Sequence, residues 1–355
     1  MIYREAGQFR TTYSADQRIF PIAQDRVAMV LLLGTAFVLV PLLASEYALS
    51  ALLIPMLVLA LAALGLNILT GYAGQFSLGT AAFMSVGAFA AYNLQLRLPW
   101  LPLLAIFVLA GLISAGVGMV FGLPSLRIKG FYLAVATLAA QFFVDWLFTK
   151  VGWFSNYSSS GVITAQRMVI IGVPIETPVR RYLLVLSIVS LLALVAKNLA
   201  RTRTGRSWMA VRDMDVAAEV IGIPILRTKL LAFGISSFYC GVSGALWAFA
   251  YLGTVEPQAF DLQRSFQILF MVIIGGLGTV MGAFLGAAFI MLFPLFLNWV
   301  FHAVVRGDVR AGLLSQLELV CFGALIIVFL IVEPRGLARL WQIGKEKLRL
   351  WPFPH

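Results

Sequence analysis

The chain has 355 residues, 61% of them hydrophobic and only 12% charged, and its mean hydropathy is +0.95. Soluble domains carry roughly 25% charged residues, so this composition excludes a water-soluble globule. The net charge of +11 does not point to nucleic acid: the basic residues are spread over loops without an aromatic-interleaved tract, and in a membrane protein they mark the cytoplasmic side.

From the N-terminus, residues 1–26 are polar and are expected to form a cytoplasmic segment. No small-residue cleavage site follows the first apolar stretch, so that stretch is predicted to be a retained span and not a removable signal. Residues 47–96, 98–126, 230–255 and 265–305 contain no Asp, Glu, Lys or Arg. A helical pass needs ~20 apolar residues, so the first and last of these runs each hold two. A transmembrane barrel is excluded, because its strands would alternate apolar and polar residues over ~10 positions. The pattern predicts an all-α polytopic membrane protein with about ten transmembrane helices. They fall at 27–45, 48–69, 76–95, 99–124, 130–149, 181–198, 230–254, 265–282, 284–304 and 313–332, within a transmembrane domain at 27–332.

With the N-terminus inside, eighteen of the 26 Lys and Arg lie on the cytoplasmic side and eight on the other, as the positive-inside rule requires. The C-terminal tail, 333–355, is then cytoplasmic too. Two connections are long: the Ser-rich 150–180 loop is external and the mixed-charge 199–229 loop is internal. In the latter, Asp213 and Asp215 are candidate helix starts, and Gly222 with Pro224 ends the helix. Trp100, Trp153, Tyr182 and Trp299 sit near span ends, as interfacial aromatics do.

The segment 65–83 combines Gly65, Gly71, Gly74 and Gly79 with Asn67, Thr70, Gln75, Ser77 and Thr80, and carries no charge. Such a segment is expected either to break a helix and line a wet path or to let helices pack closely through small residues; both demand the same glycines. On the first reading Asn67, Thr70, Gly71, Gly74, Gln75 and Ser77 line a translocation path. Gly278, Gly282 and Gly286 repeat at four-residue spacing and are expected to pack helices, with Gly118 and Gly122 as a weaker instance. No strong internal repeat is visible beyond a faint echo between Gly79–Phe83 and Gly286–Phe289. Asp145 and Glu318 are the only carboxylates inside the predicted spans, and intramembrane acids are functional candidates by default.

Enzyme signatures are lacking. The histidines are His302 and His355, and no HExxH, GxSxG or GxxxxGK[ST] occurs. Cys240 and Cys321 lie in apolar runs outside any CxxC, which argues against metal. Any ATP must therefore be hydrolysed by another chain. The 199–229 loop is either an ordinary positive-inside loop or a docking surface. An exposed-looking Trp208 among Arg206, Arg212, Asp213 and Glu219 favours the latter slightly.

The run Arg203-Thr-Gly-Arg206, Ala210-Val-Arg212-Asp213, Ala217-Ala-Glu219, Ile221-Gly-Ile223 and Lys229-Leu-Leu-Ala-Phe233 resembles the cytoplasmic loop of ABC importer permeases of the branched-chain amino-acid class. Gly65 to Gly79, Gly130-Phe-Tyr-Leu-Ala134, Gly275-Gly-Leu-Gly278 with Gly282, and Glu333-Pro-Arg-Gly336 are similar to that family in the same order, over about residues 50–340. The resemblance implies an ATPase-coupling motif at Ala217, Ala218, Glu219 and Gly222, with Arg206, Arg212 and Asp213 beside it. It implies as partners a second homologous permease chain, two cytoplasmic ATPase subunits and a periplasmic substrate-binding protein. It also implies no cofactor in this chain, with ATP and Mg held on the partner subunits. Branched-chain or other hydrophobic amino acids are the expected substrates, with urea, short amides and aromatic acids as alternatives. An ion-coupled secondary carrier would need a site built from Asp145 and Glu318.

Overall fold

The computed structural model describes residue 12 and residues 23–126, 131–158, 162–165, 168–170, 172–304, 320–321, 323–325, 327–329, 331, 333 and 336–350. Seven described helices are long and apolar enough to cross a membrane: Asp25–Leu43, Ala48–Tyr72, Leu103–Gly122, Tyr132–Lys150, Pro178–Arg201, Ile225–Leu252 and Val280–Leu297. The chain is thus a mostly helical, polytopic membrane protein.

In chain order, α1 is Ala23–Gly34, extended by a π turn at Thr35–Leu39 and by Val40–Leu43. α2 is Ile54–Asn67, with π turns at Ala48–Leu53 and Ile68–Tyr72. Then come α3 (Thr80–Arg97), α4 (Leu103–Gly122), α5 (Phe131–Lys150) and α6 (Pro178–Arg201). Two short helices follow, α7 (Arg203–Asp213) and α8 (Asp215–Val220). α9 is Ile225–Leu246 and ends in a π turn at Trp247–Leu252. α10 (Leu262–Gly275), α11 (Val280–Val304) and α12 (Gly336–Leu350) follow, and the described residues between 320 and 331 are helical as well.

The spans expected at 76–95 and 265–282 are not among the seven. α3 starts only at Thr80 and carries Asn93, Gln95 and Arg97 in its last turns. α10 has 14 residues, ~21 Å of helix at 1.5 Å per residue, against a hydrocarbon core ~30 Å thick. Non-helical chain precedes α3, and a short strand and a 3-10 turn precede α10. Most of the span expected at 313–332, including Glu318, lies outside the described residues, as do Gly130 and Arg335 of the family-like motifs.

α2 and α9 form the centre. Almost every residue of Ile54–Asn67 is buried, as an all-round apolar helix requires. α9 achieves the same with small residues. A methyl group at Gly87 of α3 would run into the Gly241 backbone, and one at Gly244 into the Met84 carbonyl. Close backbone approach is how helices gain packing energy when lipid offers no hydrophobic drive. Ser243 Oγ donates to the Val58 carbonyl at 2.7 Å and fastens α9 to α2. α1 lies at the edge, with Val30, Leu42 and Leu43 exposed, and is held by the Tyr182 hydroxyl donating to the Ala36 carbonyl at 3.1 Å.

Contacts between connections sort the helix ends onto two faces. On one, the Arg97 guanidinium lies 3.4 Å from the centre of the Trp153 ring, and strand β1 (Ile163–Thr164) pairs antiparallel with β4 (Thr254–Val255). The β2 (Val169–Ile170) and β3 (Val173–Pro174) hairpin belongs to the same connection as β1. On the other face, Lys345 Nζ meets Asp25 Oδ1 at 2.8 Å, Arg212 reaches Gly71, and Gly336 abuts Gly276.

α2–α3 and α9–α10 repeat one sequence of features. Each begins with a central helix that ends in a π turn. A left-handed glycine follows (Gly74, φ +67°; Gly253, φ +72°), then a stretch outside any α-helix, then the next helix. α2 and α9 run in opposite directions, so the two breaks enter from opposite faces. This correspondence is not the Gly79–Phe83 and Gly286–Phe289 echo seen in the sequence. It lies in backbone form, which residue matching does not detect.

Candidate functional site

The two breaks meet in a buried polar junction. The first N–H groups of a helix lack partners within it, and at α3 the surrounding helices supply them. Leu78 N–H donates to Thr137 Oγ1 at 2.9 Å, Ala81 N–H to Ser265 Oγ at 2.9 Å, and Ala82 N–H to Gln141 Oε1 at 2.6 Å. Gly79 N–H turns back to Ser77 Oγ at 3.3 Å. Ser265 Oγ donates to Gln141 Oε1 at 3.2 Å, and Gln141 Nε2 donates to the Phe260 carbonyl at 2.8 Å. One amide therefore joins the start of α3, the start of α10 and the 3-10 turn Pro257–Phe260 before α10. Gln141 is 2% exposed and lies nine residues before Lys150, ~13 Å along α5 at 1.5 Å per residue. The sequence reading missed Thr137, Gln141 and Ser265. The available signal was the i, i+4 spacing of Thr137 and Gln141 in an otherwise apolar helix, which puts both on one face.

The opposite end of the first break lies against the 199–229 loop. Arg212 Nη1 donates to the Gly71 carbonyl at 2.8 Å, while its Nε and Nη2 hold Asp213 Oδ1 at 2.9 and 2.8 Å. A methyl group at Gly74 would lie 2.6 Å from Arg212 Cγ. Asn67 Nδ2 donates to the Thr279 carbonyl at 2.7 Å, and its Oδ1 accepts from Gly278 N–H at 2.8 Å. Among the six path candidates, Asn67 thus bridges to the α10–α11 turn, and Thr70 Oγ1 bonds its own helix at the Leu66 carbonyl. Ser77 joins the junction. Gln75 is buried with neither side-chain polar atom hydrogen-bonded. Of the glycine stripe, Gly282 and Gly286 press α11 onto α10, facing Gly275 and Met271. Gly278 sits in the turn with φ +74°.

The loop itself differs from expectation in one respect. Trp208 is buried (1% exposed) and donates its Nε1–H to the Thr228 carbonyl at 3.0 Å. α7 is amphipathic, and Gly205, Trp208 and Val211 form the face it buries, so the tryptophan anchors the helix and is not displayed. Asp213 closes α7, and Asp215 opens α8. The apolar display belongs to α8 and its flanks: Val220 is 83% exposed, and Met214, Val216 and Ile221 are also open. Ala217, Glu219 and Arg206 are exposed, whereas Ala218 is buried. Gly222 turns the chain at φ +86°. Asp145 is exposed near the Lys150 end of α5. Among the described residues no group of His, Cys, Asp and Glu could hold a metal ion.

The geometry defines a polytopic helical membrane protein whose core is interrupted from both faces, with an amphipathic loop seated against one interruption. The family described as "Branched-chain amino acid transport system / permease component" matches residues 48–330, and the chain belongs to that family. It is 29% identical over 308 residues to the high-affinity branched-chain amino acid transport system permease protein LivM of Salmonella typhimurium, covering 77% of this chain and 66% of that one. It is 25% identical over 312 residues to the probable branched-chain amino acid transport permease protein LivM of Methanocaldococcus jannaschii, covering 77% and 88%. A shorter match, 32% over 197 residues and 54% of each chain, is to the autoinducer 2 import system permease protein LsrC of an Enterobacter species. The chain spans just under two thirds of the length of the Salmonella relative. No solved structure matches it.

Proposed function

We propose that this chain is the membrane permease subunit of an ATP-binding-cassette importer. It forms half of a translocation path for a branched-chain or other hydrophobic amino acid across the inner (cytoplasmic) membrane. The face bearing α7, α8 and α12 is cytoplasmic on this reading. A second homologous permease completes the path, two ATPase subunits hold ATP and Mg, and a periplasmic binding protein delivers the substrate.

One observation carries the reading. α8 and its flanks present Met214, Val216, Val220 and Ile221 to water, with exposed Arg206, Asp213 and Glu219 on the same loop. A monomer has no reason to expose such a patch, and an apolar centre inside a charged rim is the anatomy of a protein interface. ATP-driven movement of the subunit docked there would switch the path between outward- and inward-facing forms. The substrate class rests on the LivM relatives and on the absence of charge along the broken segment. An apolar side chain suits that segment, and the Gln75 amide and the freed backbone dipoles suit a zwitterion. The similarity to the autoinducer 2 permease supports the same machinery with another substrate as the second reading.

The test is Val220→Asp. A surface change of this kind alters stability by no more than about 0.5 kcal/mol, so the variant is expected to reach the membrane folded yet lose its co-purifying ATPase. Undiminished co-purification and uptake would refute the docking role.

A further inference from the structure

The importer reading requires movement of a loop outside the bilayer to reach a chain break inside it. We propose, on the basis of that reading, that Arg212 is the positioning residue that makes this connection. It ties the ATPase-facing loop to the Ile68–Gly79 break, and Asn67 extends the tie to the α10–α11 turn.

Arg212 lies in the last turn of α7, and its guanidinium reaches the break. One arm donates to the carbonyl of Gly71, in the π turn that closes α2. Carbonyls at a helix end lack intrahelical donors, and a cation there meets the negative end of the helix dipole. The other two nitrogens engage one oxygen of Asp213, which fixes the orientation of the fork. The stem of Arg212 lies on Gly74, where a side chain would collide with it. Four residues back along α2, Asn67 accepts from Gly278 N–H and donates to the Thr279 carbonyl. Gly71 itself is wedged between Asn67 and Gly278. An unbroken series of hydrogen bonds and close contacts therefore runs from the loop to the end of α2 and on to the turn that joins α10 and α11.

The mechanical arrangement follows from what is held and what is free. α7 is fixed at its middle by Trp208, bonded to Thr228 at the foot of α9, and at its end by Arg212. α8 packs through Ala218 and leaves its apolar side open. A displacement of α8 passes through α7 into both central helices instead of being absorbed in a slack loop. Lysine cannot substitute fully, because a single ammonium lacks the planar fork that holds Asp213 and Gly71 together.

The experiment uses the complete complex in lipid vesicles, with the chain, its partner permease, the ATPases and the binding protein. Labelled leucine uptake and phosphate release are measured on the same vesicles. For Arg212→Ala and for Asn67→Ala, the ATPase content of the purified complex is expected to match wild type. Uptake per ATP is expected to fall about tenfold, within the range of coupling between sites. Arg212→Lys should fall between, and the double variant should be no worse than the worse single one, because both break the same series. Only assembled complex enters the ratio, so a lower yield does not move it. A wild-type ratio in both single variants overturns the tie, as does loss of the ATPase from Arg212→Ala, which would make Arg212 a docking residue. A wild-type complex without ATP-dependent uptake overturns the importer reading, and the tie with it.

Discussion

Replacing Gln141 with leucine removes the amide that joins both breaks while nearly conserving volume. Two backbone groups, Ala82 N–H and the Phe260 carbonyl, lose their partner, and Ser265 Oγ loses its acceptor. A stranded buried polar group costs about 1–3 kcal/mol in a water-soluble protein. In membranes the average per hydrogen bond is nearer ~0.6 kcal/mol, because the unfolded helices also find partners. The expected loss for the two backbone groups is therefore about 1–6 kcal/mol, measured as a lowered midpoint of thermal unfolding in lipid nanodiscs. Gln141→Glu gives a sharper form of the test. Protonated, the glutamic acid can accept from Ala82 and donate to Phe260; ionised, it can only accept. Stability of this variant should therefore be greater at low pH, where the acid can donate to Phe260, and lower at high pH, where it cannot. The reasoning is refuted if Gln141→Leu is as stable as wild type and Gln141→Glu shows the wild-type pH profile.

Gly87→Ala should destabilise by about 1–3 kcal/mol through overpacking against Gly241, whereas Gly34→Ala, with nothing near its added methyl, should stabilise by up to ~1 kcal/mol from helix propensity; paired unfolding curves check both. Trp208→Ala should cost about 3–5 kcal/mol and free the α7 backbone to exchange hydrogen. Trp208→Phe should cost less than the alanine variant, because a ring still fills most of the site while the bond to Thr228, worth about 1 kcal/mol, and part of the indole packing are lost; equal exchange in the two variants would show that Trp208 does not anchor the loop.

The membrane class and the central helices were legible because they depend on composition. A charge-free run such as 47–96 leaves a helix no other environment. The break at 73–79 was legible from its glycines, but its two candidate meanings were not separable in the sequence. The structure shows the helix break and the close packing: Gly71 and Gly74 allow close approach, and the non-helical chain beyond them leads into a polar junction. That junction was hidden because Thr137, Gln141 and Ser265 each look like an isolated polar residue, and only the tertiary meeting of three helices gives them a common purpose. Trp208 shows the converse. Its charged neighbours suggested display, yet helical phase turns it inward beside Gly205 and Val211 and turns Val216 and Val220 out. The shortness of α10 escaped notice because hydropathy reports the run 265–305 as continuous and does not register where Gly276 and Gly278 turn the backbone.

The central claim is ATP-driven uptake of a hydrophobic amino acid. The most direct test compares cells lacking this chain with complemented cells, offering labelled leucine, phenylalanine and urea in parallel. The account predicts that complementation restores leucine uptake and that depleting ATP abolishes it while leaving the proton gradient irrelevant. Leucine uptake that persists without ATP and collapses with the proton gradient would contradict it.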